Sequence, residues 1–180
     1  MSRIRSMSLA VVAAVWLLAC GVVCDVGLSV AEARPRAVRE MKVGKEFQAM
    51  LSRVDAAQLE LQNGRPAAFK SLWSRADDIT LSGGFGGTIE KGWEQISRRL
   101  DWVGTQFSKG SHHIERLVAS ESGDLGYVVQ IEHIRYHAPE QAQESRRDYR
   151  VTMVFRRESA GWRIVHRQAD SQMVKQGQQQ

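Results

Sequence analysis

The sequence predicts an α+β domain in which a strongly bent antiparallel sheet packs on about three helices drawn from the N-terminal half. Three observations lead there. Two alternating runs near the C-terminus, Asp148–Arg157 and Gly161–Asp170, flank the short segment Glu158-Ser159-Ala160 and read as a β-hairpin. Trp93, Ile96, Leu100, Val103 and Phe107 form one stripe at helical spacing, opposed by Glu94, Gln95, Arg98, Arg99 and Asp101. The helical patterns also precede the long β runs instead of alternating with them, which argues against a parallel sheet.

The elements follow in chain order. Arg3 and Arg5 precede the uncharged run Leu9–Val23, and Ala31-Glu32-Ala33 supplies small residues at a cleavage spacing, so residues 1–33 are expected to be an export signal peptide. The apolar run is shorter than the ~20 residues of a spanning helix, although its continuation to Val30 leaves an uncleaved anchor open. Leu17-Leu18-Ala19-Cys20-Gly21 is similar to a bacterial lipoprotein box, so lipidation and membrane anchoring at Cys20 is the alternative. Cys20 and Cys24 are the only cysteines; a chain cleaved after Ala33 has neither a disulfide framework nor thiol chemistry. Residues 34–42, with Pro35 and four Arg or Lys, are expected to be a flexible leader.

From Val43, the residues Phe47, Met50, Leu51, Val54 and Leu61 recur at helical spacing until Asn63-Gly64 stops the helix. Arg65-Pro66 opens a short second helix through Phe69, Leu72 and Trp73. Ile79–Ser82 is the first strand, the run Gly83–Gly87 a tight turn, and Thr88–Glu90 a short return strand. The third helix spans Gly92–Phe107. Long β runs at His112–Glu121 and Tyr127–His137 then lead into the hairpin. There, strict alternation puts Tyr149, Val151, Met153 and Phe155 on one face of the first arm, and Trp162, Ile164, His166 and Gln168 on one face of the second. Residues 43–170 are thus the domain. Residues 171–180, with four Gln after Lys175, are expected to be a disordered tail.

Ala76-Asp-Asp-Ile-Thr-Leu-Ser-Gly-Gly-Phe-Gly-Gly87, the helix start Lys91-Gly-Trp-Glu-Gln-Ile96 and the ending Arg150-Val-Thr, Phe155-Arg-Arg and Gly161-Trp-Arg-Ile-Val-His166 together resemble the nuclear transport factor 2-like superfamily. Within it they are most similar to the SnoaL-like and ketosteroid isomerase-like proteins of bacteria, over residues 43–170. The resemblance implies a cone: the sheet curls around the helices and the open end holds a ligand. It directs attention to Trp73, Asp78, Trp93, Trp102, Tyr127, Glu132, Arg150, His166, Gln168 and Asp170 as pocket residues. For Trp93 and Trp162 simple core filling competes with that role, and for Asp78 turn capping does. The resemblance places the ketosteroid isomerase-type base at or beside Gly83, where this chain has no carboxylate, so that particular chemistry is not expected. Relatives resemble His-x-His at the last strand; this chain has His166-Arg167-Gln168, which keeps hydrogen bonding and loses a proton carrier.

The formal charge is +5, and Arg3 and Arg5 are offset by Asp25 and Glu32, so cleavage leaves it unchanged. Basic and acidic residues are interleaved, without an Arg/Lys stripe carrying aromatics, which argues against nucleic-acid binding. His133 and His137 lie about 13 Å apart if on one strand, and His112 and His113 point to opposite faces, so no metal site is expected. Gly83–Gly87 lacks the lysine and following helix of a phosphate loop, and no cofactor is expected. The reading that follows is an exported protein binding a small, largely apolar molecule, with His166, Gln168, Arg150 and Glu132 as its polar contacts. The alternatives are an isomerase, cyclase or lyase using His166 with Glu132 or Asp170, and an oligomerising assembly domain. Apolar residues on both faces of the long strands, Val154 and Val165 among them, predict a homodimer through the outer sheet face.

Overall fold

The structure, a computed structural model, describes residues 43–171, which lie within one compact unit. The expected signal peptide, the whole of the expected leader and residues 172–180 of the expected tail lie outside the described residues. Helix α1 runs Lys45–Leu61, α2 Ala67–Ser71 and α3 Gly92–Gly104, around strands β1 (Thr80–Ser82) and β2 (Glu90–Lys91). Strands β3 (Ser108–Ser122), β4 (Leu125–His137), β5 (Glu144–Glu158) and β6 (Gly161–Asp170) follow. Every expected element is present. Strand β3 starts earlier than His112 because a register shift between Ser108 and Ser111, with Lys109 at φ 50°, carries the pairing around an irregularity that strict alternation does not reveal.

The six strands form one sheet in the order β2-β1-β6-β5-β4-β3. The four long strands are antiparallel neighbours, as expected. Strand β1 departs from that pattern: it runs parallel to β6, with Thr80, Leu81 and Ser82 registered on His166, Arg167 and Gln168. The inner face carries Val128, Ile134 and Tyr136 of β4 and Tyr149, Val151, Met153 and Phe155 of β5, all buried. Phe47, Met50, Leu51 and Val54 of α1 and Ile96 and Leu100 of α3 close over it. Each fully buried Phe or Leu of this set contributes about 2 kcal/mol by leaving water. Phe47 packs edge-on against Phe155 at 5.2 Å and against Trp162 at 4.8 Å. Gly126 makes room for it, since a Cβ there would lie 2.7 Å from the Phe47 ring.

The hairpin holds a local departure that decides the site. Val154 pairs with His166 but Phe155 pairs with Ile164, so Val165 is an extra residue, a β-bulge. Up to the bulge, Trp162 and Ile164 face the core. Beyond it the faces exchange: Arg167 and Ala169 turn inward, opposite Met153 and Val151, while His166 and Gln168 turn outward.

Candidate functional site

Between α1, α3 and the inner sheet face lies a cavity of about 60 Å³, room for a few water molecules. Its walls are apolar, with Leu61, Phe69, Leu100, Phe107 and Ile134 among them. The glycine-rich turn lies at its rim: Gly84 passes so close to Tyr149 that a Cβ would sit 2.3 Å from the ring, which only glycine allows. Phe85 tucks against Phe107 at 5.4 Å and Trp102 at 5.3 Å. Arg99 fastens the turn by donating from a terminal nitrogen to the Gly86 carbonyl at 2.9 Å.

Polar groups converge at the inner end. The Glu132 carboxylate is fully buried, behind two cavity-lining side chains that both donate to its Oε2: Arg167 at 2.7 Å, and Gln58. Its Oε1 accepts from Gln130 Nε2 at 2.8 Å. Arg116 extends the network, donating to Gln130 Oε1 and, at 2.7 Å, to Asp55. One ion-pair partner and two amide donors thus engage both carboxylate oxygens and fix the position of the Glu132 side chain. Gln58 Oε1 is buried without a partner, an open acceptor on a cavity-lining residue. At the outer end Tyr149 lines the cavity; burial pushes its hydroxyl above the ordinary tyrosine pKa, so it stays a donor.

Residues 51–174 match the family model described as the SnoaL-like domain. The chain belongs to the SnoaL-like domain family. No curated protein matches it. Among solved structures, this SnoaL-like domain is similar to a nuclear transport factor 2-like superfamily protein from Salmonella enterica serovar Typhimurium, at 20% identity and TM-score 0.63, covering 74% of this chain and 92% of that one. A nuclear transport factor 2-like family protein from Streptomyces avermitilis, provisionally assigned as a dehydratase, aligns at 16% identity and TM-score 0.62, over 72% and 95% of the two chains. A ketosteroid isomerase-like protein from Erwinia carotovora atroseptica aligns at 13% identity and TM-score 0.61, over 73% and 100%. At these identities the likeness is one of fold.

In this SnoaL-like domain, the residues singled out from sequence separate into three groups. Glu132 is inside the cone, and Trp102 packs at the rim against Phe85, although it is 42% exposed. Trp73 is a core residue, edge-on to Phe69 at 6.3 Å, and Trp93 is half-buried beneath the Arg75 guanidinium. The third group lies outside. Tyr127 is on the outer face, 43% exposed. Arg150 and Asp170 form an exposed ion pair at 2.6 Å, and Asp78 pairs with Arg156 at 2.7 Å. His166 and Gln168 were expected inside with Trp162 and Ile164; the Val165 bulge corrects this, leaving Gln168 exposed and His166 Nδ1 2.7 Å from Thr80 Oγ1. Burial pushes the His166 pKa below its ordinary value. Arg167, assigned by alternation to the outer face, is the inward residue. Gln58 was also missed, although a Gln four residues after Val54 in the apolar stripe of α1 was a usable signal.

The histidines show a second effect of pairing. His113 and His133 are cross-strand partners, stacked at 5.9 Å, and His133 Nδ1 lies 2.8 Å from Asp148. His133 and Arg146 together hold the Asp148 carboxyl below its ordinary pKa. Among the described residues no three His, Cys, Asp or Glu side chains are grouped to hold a metal ion.

Proposed function

We propose that this SnoaL-like domain is an exported binding protein that takes a small, largely apolar molecule into its cone cavity. One observation carries the reading: an apolar chamber ends on the buried pair Arg167–Glu132, beside the unpartnered Gln58 Oε1. Acid-base catalysis has weaker support. His166 is on the other side of the sheet, and Glu132 is engaged by three donors. Export rests on the order of basic, apolar and small residues across residues 1–33. A dimer through the outer face is supported by the exposed Leu117, Leu125 and Tyr127 on neighbouring strands.

The test is retention of apolar ligands by the purified protein, read by native mass spectrometry and by displacement of an environment-sensitive apolar dye. Val103→Trp, which fills the chamber from α3, is expected to abolish retention while the fold persists. Unchanged retention by a folded Val103→Trp protein refutes the cavity as the site.

A further inference from the structure

We infer that the molecule held in this cavity is an anion whose carboxylate docks on Arg147; the inference rests on the cavity reading above. Arg147 continues the inner-face row of β5 beyond Tyr149 and is half-buried. Its Nε donates to Tyr136 Oη at 2.9 Å and a terminal nitrogen donates to Tyr149 Oη at 3.2 Å. Its Cζ lies 4.5 Å from the centre of the Phe85 ring. Tyr149 and Phe85 both line the cavity, which places the guanidinium at its outer end.

The charge at this end is uncompensated. Arg116 is paired with Asp55 and Arg167 with Glu132, and Arg99 lies 3.6 Å from Glu90. Arg147 has no carboxylate within 4.0 Å among the described residues; its partners are two hydroxyls and an aromatic face. Burial works against this cation and the two tyrosine oxygens support it, so an anionic guest supplies the counter-charge that the described residues do not. The donors are also available. A guanidinium has five N–H groups, of which two are used here, so about three remain. The guanidinium carbon sits over the Phe85 ring, and the N–H groups left unused form the forked edge that a bidentate carboxylate accepts from. Both tyrosine oxygens accept from Arg147, which leaves the Tyr149 hydroxyl hydrogen free to donate to a guest oxygen. The ligand class is therefore a compact hydrophobic carboxylate: apolar body in the chamber, acid at Arg147.

The experiment compares isobutyrate, whose apolar body suits a chamber of this size, with its neutral counterpart isobutyramide by titration calorimetry on the purified full-length protein. The wild type is expected to bind the acid about ten- to hundredfold more tightly than the amide, as charge-assisted hydrogen bonds imply. Arg147→Met is expected to erase that preference while the amide affinity holds, and Arg147→Lys to keep part of it. Equal or tighter binding of the amide by the wild type overturns the inference and leaves the cavity reading standing. Failure of the acid, the amide and an apolar dye all to bind overturns both.

Discussion

Arg167→Met tests whether the buried pair at the inner end of the cone is structural ground for the site. The substitution keeps the apolar stem and deletes the cation on Glu132 Oε2, leaving a carboxylate whose side chain is 1% exposed with only the Gln58 and Gln130 amides as partners. Removing one member of a buried ion pair costs about 3–5 kcal/mol, because the remaining charge stays desolvated. For a domain of this size that is a drop in Tm of roughly 12–20 °C. Guanidinium unfolding at pH 7, followed by tryptophan fluorescence, reads the cost directly. Pairing the change with Glu132→Gln removes both charges, and the double variant is expected to recover about 2–3 kcal/mol of the loss. A cost below about 1 kcal/mol for Arg167→Met, or a double variant as unstable as the two losses summed, refutes the assignment of Arg167 as the inward partner of Glu132.

Gly84→Ala drives a methyl into the Tyr149 ring and is expected to cost about 1–3 kcal/mol and to lower dye binding, measured on one preparation. His166 and His112 are both held below the ordinary histidine pKa by burial. Their neutral forms therefore support the fold above about pH 6.5, and stability is lost as pH falls through the lower folded values; the combined His166→Gln and His112→Gln variant is expected to flatten the unfolding free energy between pH 7 and 5. If the proposed outer-face dimer forms, Tyr127→Asp is expected to convert it to monomer in light scattering at micromolar concentration, and a monomeric wild type rules out that interface. N-terminal sequencing of protein recovered from the cell envelope is expected to begin at Arg34; a blocked, lipidated Cys20 places the protein on a membrane instead.

The helices and long strands were legible because their faces are written in simple periods. The α1 stripe and the β5 row Tyr149, Val151, Met153 and Phe155 are buried as their spacing dictates. The site was less legible because one residue breaks the period. Arg163-Ile-Val-His166 contains no glycine or proline to mark a bulge, and pairing with β5, not local propensity, selects Val165 as the extra residue. That slip moved His166 and Gln168 out of the cone and brought Arg167 in. Glu132 could be found, since it interrupts the buried alternation Val128, Gln130, Glu132, Ile134, Tyr136. Its partners come from α1 and β6, residues no local window connects. Arg147, likewise, reads as one of a pair of arginines until β5 is placed beside β4.

The parallel join of β1 to β6 also bears on how the domain assembles. Strand β1 has only two neighbours: the two-residue β2, and a strand whose His166 lies 86 positions downstream of Thr80. The meander from β3 to β6 can zip through neighbouring turns, but β1, and the loop and helix that roof the cavity, must await the last strand to be made. Closing so long a loop is entropically expensive and slow. The closure of the cavity roof is therefore tied to one of the longest-range pairings in the domain. Until β6 docks, the nascent chain has hydrophobic strands without a completed roof, the loosely organised condition in which a polypeptide can still be threaded across a membrane or captured by a chaperone.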